Sequence, residues 1–494
     1  MKRILALLCA ILMLASAVAC GKADPADTTA ATTTAAVGEA TTTAATTPAE
    51  TEPPKAFDSV PEQNYGGYMF NILYAQADEC YKDFYAEQII GDVQNDAVYE
   101  RNSMVKDKLN IDMTITWDTY QTVNDKARMQ SQAGAQDYDL FGGHRDSLKL
   151  TYQGFLYDLN QIDALDLEQI WWDQGWIDAI TVNDSLYTII GDVNVSAQLF
   201  VSSIAFNKRL MDENNMAYPY DLVRQGKWTM DVYNEMITGF GADLNGDGAV
   251  KPEDDLFALI GWSYESGYSN LYGSDFTFTH RDADGSLSVN FDMEKVLDLA
   301  TRIVDLYTKD YVYLNTGAGV AEHVKCYGTF AAGRALFADT VLTNYSIHFT
   351  EMEDDFGILP VPKYNEEQEN YKSYLGYTIP MMFMTNNTAD PERTGTIMEA
   401  FCTASYDHVY PKMYEVVTKL KNARDEDSSE MIDIIIRNKI IDPLHFYNIT
   451  GYGNFGRNLV VEKNANVSSK LKSYEKVAAK EWDKITAAFD SIKK

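Results

Sequence analysis

The chain has 494 residues, of which 23% are charged and 12% aromatic, and a formal net charge of −32. That excess of carboxylates argues against nucleic acid or an anionic lipid surface as the main partner, since both reward Lys and Arg. The cysteines carry no C-x-x-C spacing, which excludes a disulfide framework and a thiolate zinc site; Cys80, Cys326 and Cys402 read as buried thiols, with one bridge among them left open.

The first element is a leader, MKRILALLCAILMLASAVAC: Lys2 and Arg3, an apolar run from Ile4 to Val18, then Ala19-Cys20-Gly21. Charged start, short apolar core and small residues before a cut site predict an export signal over 1–19. Its end resembles a bacterial lipobox, with Ala17 where Leu is most common. That resemblance implies lipidation of Cys20, by palmitate-type acyl chains, and anchoring on the extracellular face of a bacterial cell membrane; cleavage without lipidation is the competing reading. Residues 20–56 are rich in Thr, Ala, Pro and Glu and hold too little apolar surface to offset the entropy of ordering, so they predict a spacer. No later run of eighteen apolar residues predicts a membrane span.

The remainder is long enough for two lobes. In GYMFNILYA, Tyr68, Phe70, Ile72 and Tyr74 alternate as in a strand; Val98, Val105 and Leu109 then fall at helical spacing. A β-branched run, IDMTIT, precedes a polar helix over about Thr122–Ala133 and a short strand, YDLF, ending in Gly142-Gly143. This β-α-β-α-β order predicts an α/β sheet with helices on its faces, whose ligands sit beyond the carboxyl ends of strands. The loop with His144, Arg145 and Asp146 occupies such an end; the competing reading is a helix start capped by Asp146 or Ser147. Farther on, Thr229 in GKWTMDVYNEMI predicts another cap, with Trp228 as its staple. At the C-terminus, Leu471, Tyr474, Ala478, Trp482, Ile485, Phe489 and Ile492 follow three-four spacing and predict an amphipathic helix packed on a lobe.

DLNGDGAVKPED is the most specific short motif. Asp243, Asn245 and Asp247 stand at positions one, three and five of an EF-hand calcium loop, Gly248 at the sharp turn, Ala249 at the carbonyl position and Asp254 at twelve. Asp254 has a shorter arm than the usual Glu, and Lys251 at position nine supplies no oxygen, so a structural Ca2+ of modest affinity is expected. Helices over Asp231–Phe240 and in PEDDLFALI would frame the loop; a polar turn between helices is the competing reading.

Across about Tyr65 to Cys402 the order of segments resembles the extracellular solute-binding proteins of sugar ABC transporters, the maltose-binding-protein-like family 1. YDLFGGHRDS with GFLYDLNQI, LYTIIGDVNVSAQLFVSSIAFNKRLMDENNM, GKWTMDVYNEMI, TFAAGRALFADTVL, DFGILPVPKYN and YLGYTIPMMFMTNN carry it, before the helix DPERTGTIMEAFC. The resemblance implies an α/β fold, a two-lobed clamp of the type II periplasmic-binding-protein kind. The first lobe would hold 57–192 and about 379–430, and the second 193–377 with about 431–494. Hinges would lie near Gly191 and Gly376. It further implies a monomer that binds a sugar in the interlobe cleft and presents it to permease subunits.

Sugar recognition needs rings for pyranose faces and charged or amide groups for hydroxyls. By position within the resemblance, the rings are Trp262, Tyr264, Tyr345, Tyr377 and Tyr452, with Trp262 foremost; Glu265, Asn270, His144, Arg145 and Asp192 are the polar candidates. Each has a packing or surface role as its competing reading.

No G-x-S-x-G, H-E-x-x-H, Walker loop or placed G-x-G-x-x-G points to catalysis. The sequence therefore predicts a lipid-anchored, non-enzymatic carbohydrate-binding protein of an ABC transporter, against a surface carbohydrate-active enzyme or glycan adhesin.

Overall fold

The structure, a computed structural model, describes residues 55–76, 82–283, 285–418 and 426–492. The leader, Cys20, most of the spacer and Cys80 lie outside the described residues.

Two sheets organise the chain from residue 54 onward. In the first, β1 (Tyr68–Ala75) pairs in parallel with β2 (Ile111–Asp118) and β3 (Leu140–Gly143), and β12 (Met381–Phe383) closes the edge antiparallel to β3. Phe70, Ile72, Leu73 and Tyr74 of β1 are all fully buried. The alternation in GYMFNILYA thus holds only for the start of the strand, because helices cover both faces of a parallel sheet. Asp92 caps the helix Val93–Leu109 by accepting from Asn95 N, and Thr119 caps Tyr120–Ala133 by accepting from Thr122 N.

The second sheet runs β10-β4-β9-β5-β8 and contains β4 (Ser202–Asn207), β5 (Phe257–Trp262), β8 (Val312–Asn315), β9 (Ala335–Val341) and β10 (Phe356–Leu359). β5 is parallel to β8 and β9, so Trp262 and Asn315 stand side by side at carboxyl ends. Trp228 is fully buried, donates from Nε1 to Pro360 O at 2.9 Å and packs on Tyr233; Thr229 caps Met230–Ile237. A small hairpin, β6 (Thr279–Arg281) and β7 (Leu287–Val289), projects from this lobe.

The chain crosses between lobes around Val193–Val201 and returns around Leu375–Pro380. A bridge between Val201 and Leu375 ties the crossings together, and β11 (Ser373–Tyr374) pairs in parallel with β13 (Lys439–Ile440) beside them. At the two glycines near which hinges are expected, space is restricted. A Cβ on Gly376 would sit 1.8 Å from Phe200 Cδ1, and one on Gly191 2.7 Å from Cys402 Sγ; neither has a positive φ. They are small because neighbouring atoms occupy the space.

Helix Glu426–Arg437 lies on the second lobe, where Ile358 N of β10 donates to Ser428 Oγ at 3.4 Å. The C-terminal helix, Ser468–Ile492, buries Leu471, Ala478, Trp482, Ile485 and Phe489 as its periodicity predicts. It is not confined to the second lobe, where the sequence places 431–494. Trp482 Nε1 donates to Leu287 O of β7 at 2.7 Å, while the Phe489 ring packs 5.3 Å from Tyr187 of the first lobe. Cys326 and Cys402 are buried free thiols. Among the described residues no helix is long and apolar enough to cross a membrane.

Candidate functional site

The site grows from the carboxyl ends of β3 and β5. At β3, Gly142 and Gly143 are required by close approach: a Cβ on either would lie 2.0 Å from the Tyr74 ring or from Ser147 Oγ. The cap of the following turn is His144, whose Nδ1 accepts from Asp146 N at 3.1 Å, rather than Asp146 or Ser147. His144 lies 3.7 Å from the Tyr120 ring, and burial lowers its pKa to about 4, which leaves it neutral at pH 7. Arg145 projects onward. Its guanidinium lies 3.9 Å from the centroid of Tyr377 and donates to Gly453 O at 2.9 Å and Asn454 Oδ1 at 3.3 Å.

At β5, Trp262 is half-buried and fixed by its Nε1 donation to Gly317 O at 2.9 Å. Its ring contacts Tyr264 at 4.8 Å and His323 at 4.7 Å. Arg457, from helix Phe455–Glu462, lies 4.3 Å over Tyr264. Tyr268 links this side to Arg145, since its hydroxyl donates to the same Gly453 O at 3.1 Å. Trp262, Tyr264, Tyr377 and Arg457 all keep part of their surface in solvent. Elements from both lobes and from the C-terminal segment therefore present rings and guanidinium groups to one place.

The other sequence candidates are interior. Tyr345 is fully buried between Phe349 and Phe356, with its hydroxyl 3.2 Å from Ser203 Oγ. Tyr452 is fully buried, 4.3 Å from Phe278. Asn270 lies in the wholly buried helix Ser266–Gly273 and donates to Ser266 O and Tyr307 Oη. Glu265 is 1% exposed; its Oε2 accepts from Tyr327 Oη and its Oε1 faces His323 Nε2 at 3.7 Å. These are positions in the second-lobe core and its backing, where burial follows from helix packing that single-residue chemistry does not reveal.

Asp192 is buried beside the Lys439–Asp173 ion pair. Burial pushes its carboxyl up to about 8 against the pull of Lys439, with Asp173 adding to the rise. An unfolded Asp titrates near ~3.9, so between that pH and 8 the folded state holds the extra proton and stability falls as pH rises. Asp192→Asn is therefore expected to stabilise by on the order of 1–3 kcal/mol at pH 8 and by little at pH 4. Denaturant melts at both values check this; a pH-independent difference contradicts it.

Arg457 and Tyr268 were not legible as site residues. The signal was long-range: a Cβ on Gly267 would lie 2.1 Å from Gly456 O, and this close approach seats the helix bearing Arg457 against the one bearing Tyr268.

The acidic loop has the hydrogen bonding its spacing predicts. Asp243 accepts from Gly246 N and Gly248 N at 2.7 and 2.8 Å, Asn245 from Asp247 N at 2.9 Å and Asp247 from Ala249 N at 2.8 Å. Its frame differs, because the segment after it becomes β5 rather than a helix. Asp254 is exposed, and the acid that turns inward is Asp255, which accepts from Leu244 N and Lys251 N at 3.0 and 2.7 Å. Lys251 Nζ holds Asp247 at 2.6 Å. Among the described residues no group of three or more His, Cys, Asp or Glu is gathered for a metal ion.

By sequence the chain matches no protein-family model and no curated protein. By structure it is similar to a cyclo/maltodextrin-binding protein complexed with maltotetraose, with TM-score 0.53 and 12% identity over 86% of this chain and 98% of that one. It is also similar to UspC of M. tuberculosis, with TM-score 0.54 and 12% identity over 83% and 99% of the two chains. The substrate-binding protein Lmo0181 from Listeria monocytogenes, in complex with cycloalternan, gives 0.50 and 13% over 86% and 98%. The chain thus has the two-lobed α/β fold of the maltose-binding-protein-like substrate-binding proteins.

Proposed function

We propose that the protein is an extracellular solute-binding protein that captures a carbohydrate between its lobes and delivers it to an ABC permease without chemical turnover. The observation that carries this reading is the juxtaposition of Trp262 and Tyr264, at the end of β5, with Arg145 and Tyr377 from the opposite lobe and the return crossing. Indole and phenol faces suit the C–H face of a pyranose, and guanidinium groups donate to its oxygens. The structural neighbours bind maltotetraose and cycloalternan, and they are binding proteins rather than enzymes. Lipidation at Cys20 would keep a monomeric clamp at high effective concentration beside its permease.

A melting-shift screen of the full chain against mono- and oligosaccharides, polyols and peptides tests the reading. A saturable rise with a carbohydrate, with the sugar recovered intact by chromatography, is the expected outcome. Hydrolysis of the sugar would support the carbohydrate-active enzyme instead.

A structural Ca2+ held by Asp243, Asn245, Asp247, the Ala249 carbonyl and Asp254 is part of the proposal. The EF-hand spacing and the turns at Gly246 and Gly248, with φ of 71° and 79°, support it. Because Lys251 competes for Asp247, affinity should be modest. Complete chelation is expected to lower the melting temperature by a few degrees and added calcium to restore it. An unchanged melting curve removes the site.

A further inference from the structure

Two guanidinium groups, those of Arg145 and Arg457, stand over site rings in a chain whose net charge is −32. Several other arginines close on carboxylates, as Arg209 does on Asp354 at 2.8 Å and Arg302 on Asp298 at 2.5 Å, whereas Arg281 ends on backbone carbonyls and Arg145 is 7% exposed. Arg145 and Arg457 do not close on a carboxylate. Among the described residues neither forms an ion pair: Arg145 ends on a carbonyl and an amide oxygen, and Arg457 lies over Tyr264 with a buried Nε that has no hydrogen-bond partner. Of the nearby acids, Asp146 is held by Lys149 at 2.7 Å, and Glu265 is turned toward Tyr327 and His323.

A cleft shaped for neutral hydroxyls needs acceptors as well as donors, and carboxylates are the strongest acceptors available. Here Glu265 Oε1 and Arg457 Nε are both buried without a hydrogen-bond partner, and among the described residues no carboxylate pairs with the guanidinium of Arg145 or Arg457. The Tyr377 and Tyr264 faces and the oxygens of Gly453 and Asn454 offset part of the desolvation of these guanidinium groups, and an anionic ligand would offset more.

We infer that the ligand is an acidic carbohydrate whose anionic group is held between Arg145 and Arg457 while its ring lies on Trp262 or Tyr264. The inference rests on the carbohydrate-binding reading and narrows it. A uronate carboxylate and a sulfate ester share the required chemistry: a planar or trigonal set of anionic oxygens that a guanidinium fork can take in pairs. The ring platform selects a sugar over a free inorganic anion.

Titration calorimetry of the full chain with trigalacturonate, a sulfated disaccharide and neutral maltotriose, each at low and high sodium chloride, tests this. At least one acidic sugar is expected to bind at least tenfold more tightly than maltotriose and to weaken with salt. Which acidic sugar binds identifies the anionic group. Arg457→Gln is expected to weaken acidic-sugar binding by about 10- to 100-fold and Arg457→Lys by less, since the charge remains. The side chain is half-exposed, and an unliganded melting curve checks that each variant folds. Salt-insensitive binding of maltotriose at equal or higher affinity overturns the inference and leaves the carbohydrate reading standing. Acidic-sugar binding unchanged by Arg457→Gln also overturns it. Failure of all three sugars, together with a carbohydrate-negative melting screen, overturns both.

Discussion

Trp262→Ala is expected to weaken binding of the sugar that stabilises the wild-type chain by about 100-fold, or ~3 kcal/mol, with a much smaller change in the unliganded melting temperature. The indole is part of the wall rather than of the core. It is half-buried at the carboxyl end of β5, and its Nε1 donation to Gly317 O sets the plane of the ring. Truncation removes the flat face and its contacts with Tyr264 and His323, while the second-lobe core around Trp228, Tyr233 and Phe337 is untouched. Trp262→Phe keeps a face but loses the anchoring hydrogen bond, so an intermediate loss is expected. Calorimetry of the three proteins with one sugar makes the comparison; equal affinities would remove Trp262 from the site.

Gly376→Val should have the largest effect on stability, about 2–4 kcal/mol. A Cβ at this position would lie 1.8 Å from Phe200 Cδ1, and Gly376 N donates to Phe200 O at 3.0 Å, so the backbone cannot simply move away. Both interlobe crossings meet at this contact. Phe200→Ala should recover part of the loss in the double variant, because the clash is with that ring. Denaturant melts of the single and double variants measure the coupling; an additive result would mean that the cost lies in the backbone.

The same glycine illustrates what the sequence made legible. Gly376 and Gly191 stand at the two crossings, where the family resemblance implies hinges. Their physical role was not legible, because a glycine needed for space and one needed for conformational freedom look alike without their neighbours. Arg145, Trp262, Tyr264 and Tyr377 could be chosen in advance because they follow strand ends or the crossing, positions fixed by local order and chain topology. Tyr345 and Tyr452 could not be separated from them by residue type, since the packing of Phe349 and Phe356, or of Phe278, decides whether a ring faces a core or a cleft. Arg457 reaches the site only through the contact of Gly456 with Gly267, nearly two hundred residues away in the chain. The acidic loop is a milder case: its turns follow from spacing alone, whereas the strand after it is set by pairing with β8 and β9.

A crystal structure of the full chain with the sugar that gives the greatest melting shift would locate the ligand. One sugar molecule is predicted between the lobes, with a ring face on Trp262 or Tyr264 and its oxygens on Arg145 and Arg457. A cavity of about 450 Å3 lies on the flank of the first lobe beside Phe84, Tyr99 and Met113. Sugar bound there, with the interlobe rings bare, would contradict the account.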